Sequence, residues 1–232
     1  MKIAIMQPYI FPYIGYFQLI NAVDLFVIYD NIQYTKKGWI NRNRFLQNGK
    51  DAVFTIPIQN ASDYLDVRER VISSSFNKEK LLNQLFASYC KSPYFEHVFP
   101  FLSNIINNNE TNLFKYIHYS IIEICNSLNI DTKIVISSDV DIDHNLKSQG
   151  KVIAICQQLG ATNYINPVGG QTLYSKEAFQ KCGIDLMFIK SNPMKYKQFD
   201  NEFVAWLSVI DVMMFNNNEE IIGMLKDYDL EM

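Results

Sequence analysis

The 232-residue sequence carries almost no net charge: 21 lysines and arginines stand against 24 aspartates and glutamates, leaving −3. A general nucleic-acid binder has a clear basic excess, so no nucleic-acid partner is expected, although a local basic site stays open. The four cysteines, Cys90, Cys125, Cys156 and Cys182, are widely spaced and form no Cys-x-x-Cys pair. That spacing argues against a disulfide framework and a zinc ribbon, so four free thiols are expected. His97, His118 and His144 lie far apart, and no metal site is expected. No apolar run reaches the roughly 18 residues of a membrane span. The first apolar stretch is broken by Gln7 and Pro8, too early for a signal peptide. The expectation is a cytoplasmic protein without a membrane segment. Walker elements, G-x-G-x-x-G and a Ser/His/Asp order are also missing, so no cofactor is evident.

Aromatic residues are what the sequence has in quantity. There are 16 Phe, 14 Tyr and 2 Trp, together 14% of a chain that is 48% hydrophobic and 19% charged. This is globular composition, long enough to bury a sizeable core. A buried tyrosine hydroxyl needs a partner, so 14 tyrosines exceed what a core requires, and some are expected to line a site.

Residues 2–7 (KIAIMQ) read as a buried strand stopped by Pro8. Apolar spacing predicts a helix over 16–22, and 25–29 (LFVIY) reads as a second buried strand, which completes a βαβ unit. Residues 52–58 (AVFTIPI) predict a third strand whose end is demoted by Pro57. Helices over 81–89 (with Asn77 as N-cap), 95–106 and 112–128 make a helical insertion at 75–130. Strands follow at 133–137, 161–165 and 184–190, and helices at 146–159, 175–182, 201–215 and 219–226. Gly160 and Gly183 stand where helix ends need a left-handed residue. The alternation predicts one α/β domain over 1–232, with a mostly parallel sheet, flanking helices and right-handed crossovers.

In such sheets, ligands bind beyond the carboxyl ends of the strands, where the strand order switches. The first exit, Gln7-Pro8-Tyr9-Ile10-Phe11-Pro12-Tyr13-Ile14-Gly15-Tyr16, sets Gly15 at a helix N-terminus whose free N–H groups suit a phosphate. Tyr13 and Tyr16 flank it; an aromatic loop packed on the sheet is the alternative. The second exit, 30–44, carries Asp30, Gln33, Trp39, Asn41, Arg42 and Arg44. All four arginines of the chain fall in two Arg-x-Arg pairs, Arg42/Arg44 and Arg68/Arg70. Residues two apart on a strand share a face, so Arg42 and Arg44 could grip one anion, with Asn41 and Asn43 opposite. A solvated edge is expected for Arg68 and Arg70. Asn166-Pro167-Val168-Gly169-Gly170 follows a strand and could form an anion nest or a plain turn. Asp211 falls inside the apolar helix predicted over 201–215, where an unpaired carboxylate is costly. A structural ion pair is the first expectation for it, and a place in the site the second. His144, among acids, reads as a solvated loop residue. The predicted pocket is lined by Gln7, Tyr13, Asp30, Asn41 and Arg42.

The string MQPYIFPYIGYFQLINAVDLFVIYDNIQYTKKGWINRNR at 6–44 resembles the WbqC-like family. So do YINPVGG with Tyr174 beyond it, and the closing FVAWLSVIDVMMFN at 203–216. Members of that family occur with genes for O-antigen and other surface polysaccharides, so the resemblance implies surface-glycan synthesis more firmly than a reaction. A fainter, fold-level resemblance is to the nucleotidylyltransferase group, in which an HxGH element after the first strand touches a triphosphate. Tyr13-Ile14-Gly15-Tyr16 stands in that place here, without imidazoles. Taken together, these resemblances imply an enzyme acting on a nucleotide-linked amino sugar, with transfer of an acyl or aminoacyl group to the sugar amine. Arg42, Arg44 and the Gly15 helix N-terminus would hold the diphosphate of that nucleotide sugar, or of another phosphorylated small molecule. Tyr16, Asn166, Gly169 and Gly170 would border it. Trp39 or Tyr13 would stack on a ring, and Asn41 or Gln33 would bind sugar hydroxyls. Asp30 or Asp211 would accept the amine proton. The alternatives are a nucleotidylyltransferase-like enzyme using Mg²⁺, and a non-catalytic binding module of a polysaccharide assembly complex.

Overall fold

The computed structural model describes residues 1–231. Its strands are β1 (Lys2–Met6), β2 (Leu25–Ile28), β3 (Arg42–Gln47), β4 (Lys50–Thr55), β5 (Lys133–Ile136), β6 (Asn163–Pro167), β7 (Asp185–Ser191) and β8 (Tyr228–Glu231). Six of them form a central sheet in the order β5-β2-β1-β6-β7-β8, and β3 and β4 form a separate hairpin. Within the central sheet every pairing is parallel except that of β8 with β7. This is the α/β fold with a mostly parallel sheet that the alternating pattern predicts, and all five expected sheet strands are in it.

Successive side chains of β1 and β2 enter cores on opposite faces. Ala4, Phe26 and Ile28 enter one core, and Ile3, Ile5, Leu25 and Val27 the other. Burial on both faces is why these strands read as unbroken apolar runs. On the first face lie α1 (Ile14–Asn21), α2 (Lys78–Tyr89), α3 (Phe95–Ile106), α4 (Leu113–Ser127), α7 (Val209–Phe215) and α8 (Asn218–Met224). On the other lie α5 (Ser148–Gln158) and α6 (Lys176–Gln180). The expected local signals operate: Asn77 accepts a hydrogen bond from the Lys80 amide at 2.7 Å, and Gly160 and Gly183 have φ of +73° and +71°. Among the described residues no helix is long and apolar enough to cross a membrane. The four cysteines are free thiols.

Three elements depart from expectation. The strand predicted at 52–58 is β4, which pairs with β3 and not with the central sheet. Asn48 and Gly49 turn that hairpin with φ of +52° and +73°, the two left-handed residues a tight turn requires. The helix predicted over 201–215 is only α7. The segment before it has its backbone satisfied from outside a helix: the Gln198 side chain accepts from the Val204 amide at 2.7 Å and donates to the Val204 carbonyl at 3.1 Å. Ser208 then caps α7, accepting from the Ile210 amide. Lastly, β8 (YDLE) is an edge strand with two acids and no apolar run, so alternation does not reveal it.

Candidate functional site

The β1–β2 ladder runs from Ile3↔Leu25 to Met6↔Ile28, and the β6–β7 ladder continues to Pro167↔Ile189. Between these pairs, β1 and β6 are in register only at Lys2↔Asn163 and Ile3↔Tyr164. Beyond that point the two halves of the sheet part. The chain leaves β1 toward β2 and β5 on one side and returns through α5 to β6 on the other. The strand order thus switches between β1 and β6, and the carboxyl ends at such a switch are where open α/β sheets bind ligands.

On the α5 side a run of polar groups lies by these strand ends. Lys151 of α5 is only 5% exposed. Its Nζ donates to the Asn31 carbonyl at 3.2 Å and stands 5.2 Å from the centre of the Tyr29 ring. No carboxylate among the described residues lies within ion-pair distance of it. Burial holds its pKa below the ordinary lysine value, and Asp66 and Asp30 pull it back in part. Burial also pushes the Tyr29 phenol up to about 12, helped by Tyr174 and Asp66, so at neutral pH it is a donor. The Tyr174 and Tyr164 hydroxyls lie 3.3 Å apart, and Tyr164 donates to Asn166 Oδ1 at 3.3 Å. Gln7 stands at the β1 exit, its carbonyl accepting from the Tyr16 hydroxyl at 3.0 Å.

Asp30 ties the β2 exit to the β5 exit. Ser137 Oγ and the Ser138 amide donate to its Oδ1 at 2.7 and 2.9 Å, and Ser138 Oγ donates to Oδ2 at 2.7 Å. It is 2% exposed and both of its oxygens are engaged. His144 is exposed, as expected, with Nδ1 3.0 Å from Asn31 Nδ2.

The other expected residues belong to a second cluster around the hairpin. Arg42 and Arg44 do share a face of β3, but Trp39 fills it, its ring centre 5.3 and 5.4 Å from the two guanidinium carbons. Arg42 donates to the Gly38 and Lys37 carbonyls at 3.0 and 2.5 Å, and Arg44 to the Trp206 carbonyl at 3.0 Å. Their forks thus serve their own surroundings. Asn41 accepts from the Tyr34 hydroxyl at 2.7 Å and donates to the Ile56 carbonyl at 2.8 Å. Gln33 donates to the Asp63 carbonyl at 2.9 Å. The N-terminus of α1 is not open to a phosphate: the Tyr13 ring lies where a Cβ on Gly15 would stand. Likewise the Asn166 amide occupies the space above Gly170, whereas Gly169 has nothing near it. Asp211 is fully buried in α7, and its partners are three neutral donors and no cation. It shares none of them with Asp30.

The five residues of the predicted pocket are therefore divided between two clusters. Cavities of about 420 and 310 Å³ lie elsewhere, the first beside Asn77 and Gln84, the second between His97, Met213 and Ile221. Arg70 is a further correction: the expected solvated edge holds for Arg68, but Arg70 is buried at 3% exposure. Lys151 had a sequence signal. In α5 the positions Lys151, Val152, Ile155 and Cys156 share the buried face, so a lysine sits in the apolar stripe. No group of three or more His, Cys, Asp or Glu among the described residues could hold a metal.

Comparison with known proteins adds a family. The model of the WbqC-like protein family matches residues 7–222. The uncharacterized protein Rv1507c of Mycobacterium tuberculosis is 29% identical over 222 residues, which covers 94% of this chain and 95% of that protein. No solved structure matches.

Proposed function

This chain belongs to the WbqC-like protein family, and on that premise we propose that it is a transferase of surface-glycan synthesis that takes a nucleotide-linked amino sugar in the crevice between β1 and β6. The observation that carries this reading is Lys151, a buried cation without a carboxylate partner beside the switch in strand order. A phosphoryl group would supply the missing counter-charge, and Tyr29 would donate to it or to a sugar hydroxyl. Gln7 and Asn166, on opposite walls, would orient the sugar. The transfer we favour moves an acyl or aminoacyl group to the sugar amine. The amine nitrogen attacks the acyl carbon, the bond to the donor's leaving group breaks, and the departing group takes up the amine proton. With both Asp30 oxygens already accepting hydrogen bonds, Asp30 fits the role of fixing the exit loops better than that of a free base. Nucleotidylyl transfer finds less support, because Tyr13 covers the Gly15 helix N-terminus.

A second reading, a non-catalytic binding module, is favoured by the aromatic cluster at the hairpin. There Trp206 is 63% exposed and packs edge-on against Tyr13 at 5.7 Å. A thermal-shift screen with nucleotides, nucleotide sugars and acyl donors separates the two. A ligand of the folded form at about 100 times its Kd adds about 2.7 kcal/mol. Nucleotide sugars should raise the melting temperature of the wild type and not that of Lys151→Met. If no nucleotide or nucleotide sugar shifts the wild type, the transferase reading falls and the binding module takes its place.

A further inference from the structure

Arg70 follows a short 3₁₀ turn, Val67–Glu69, and its carbonyl receives the Leu113 amide at the start of α4. Its side chain goes inward and lies over the Tyr34 ring, the guanidinium carbon 4.9 Å from the ring centre. Nε and Nη2 are both buried, and neither has an acceptor. Guanidinium is charged at every physiological pH, so these donors cannot be relieved by losing a proton. A buried charged donor left without an acceptor is among the costliest arrangements in a protein.

The surroundings deepen the imbalance. Arg70, Arg42 and Lys36 all act on the Tyr34 phenol, each favouring its anion against the effect of burial. Arg70 also acts on the Asp63 carboxylate, which is exposed and already bound to Lys36 at 2.7 Å. Three cations thus act on a single ring, and the carboxylate that Arg70 acts on, Asp63, is committed to Lys36. Tyr34 is itself fixed, its hydroxyl donating to Asn41.

We propose that Arg70, stacked on Tyr34, is the centre of an oxyanion-binding site that takes the phosphoryl or carboxylate group of a small ligand. The planar fork offers two parallel N–H donors, which match two oxygens of either group. The site stands on groups other than Lys151, so it succeeds or fails apart from the crevice reading.

The test is calorimetry on the full chain, with pyrophosphate, phosphate, malonate and acetate as probes. The wild type should bind at least one of them saturably at millimolar concentration. Arg70→Met should weaken that binding by about tenfold or more, as loss of one partner of a buried charge pair does. Arg70→Lys keeps the charge without the fork and should restore only part of it. Arg68→Gln, two residues away and exposed, should stay within about twofold of the wild type, since it removes only a screened surface charge. Binding of the phosphates alone would identify a phosphoryl ligand, and binding of the carboxylates alone a carboxylate ligand. If Arg70→Met does not fold, the comparison of wild type with Arg70→Lys decides. Unchanged affinity in the Arg70 variants, or no binding of any probe by the wild type, would overturn the proposal.

Discussion

Asp211 is a buried carboxylate held without a cation. The Tyr89 hydroxyl donates to its Oδ1 at 2.9 Å, and the Tyr196 hydroxyl and Gln198 Nε2 donate to its Oδ2 at 2.7 and 2.6 Å. Burial raises its pKa, and the three donors pull it back in part. Its position in an apolar stretch marks it as special, but its partners do not follow from spacing: Tyr89 is 122 residues away. Asp211→Ala leaves two buried donors and one part-buried donor short of an acceptor and should cost about 2–4 kcal/mol, at about 1–3 for each unsatisfied group with some relaxation. Urea melts measure it, and a loss well under that range would mean that water reaches the site. The raised pKa also gives a pH dependence. A raised folded-state value means that the stability Asp211 contributes is full below its unfolded pKa of about 3.9 and is lost as pH rises through the folded value. Asp211→Asn cannot ionise, so its stability relative to wild type should improve as pH is raised from below about 4. A constant difference across that window would contradict the shift.

At the level of elements, the β3–β4 hairpin is the piece that the sequence hides most. Its turn pair, Asn48-Gly49, and the alternation of buried Asn43 and Phe45 with half-buried Arg42 and Arg44 were both present to be read. Asn43 faces inward because it donates to the Ile10 and Phe11 carbonyls at 3.0 and 2.9 Å, a contact with the loop after β1 that hydrophobic patterning cannot signal. Phe11 is held there with φ of +42°, and Ser208 donates to the same carbonyl at 2.7 Å. A bulky side chain at positive φ persists only where its surroundings fix it. Asn43→Ala should therefore destabilise the protein by about 1–3 kcal/mol and speed amide hydrogen exchange in the loop after β1. Exchange unchanged there would show that Ser208 suffices. Gly49→Ala tests the turn. A Cβ at φ of +73° is strained and would lie 3.1 Å from the Asn201 side chain. The left-handed conformation alone costs about 1–2 kcal/mol, and thermal melts should show a loss of at least that size.

For the molecule as a whole, the four free thiols give a check on burial. The thiols of Cys125 and Cys156 are pushed up to about 12 by burial, and Cys90 is exposed. Native protein should thus show Cys90 reacting first with a thiol reagent and Cys125 and Cys156 protected, because the thiolate is the reactive form. Denatured, unreduced protein should titrate as four thiols; fewer would mean a disulfide. The order of the five parallel strands and of the helices between them, by contrast, was already in the sequence. Strands buried on both faces are continuous apolar runs, and helices that cover them repeat their apolar positions every three or four residues, so both can be read locally. Partnership is not local. Asp30 meets Ser137 across 107 residues, and Gln18 meets the Met224 carbonyl across 206. The short register of β1 with β6, at the switch in strand order, depends on how two distant strands meet. The acids of β8 lie at a sheet edge only because β7 is there to pair with them. The sequence by itself determined the five parallel strands and most of the helices, because burial repeats with a fixed period along the chain, but neither β8 nor the true start of α7. Tertiary structure alone decided which polar groups are satisfied and which, like Lys151 and Arg70, are buried without a carboxylate partner among the described residues, because a partner is chosen by proximity in space.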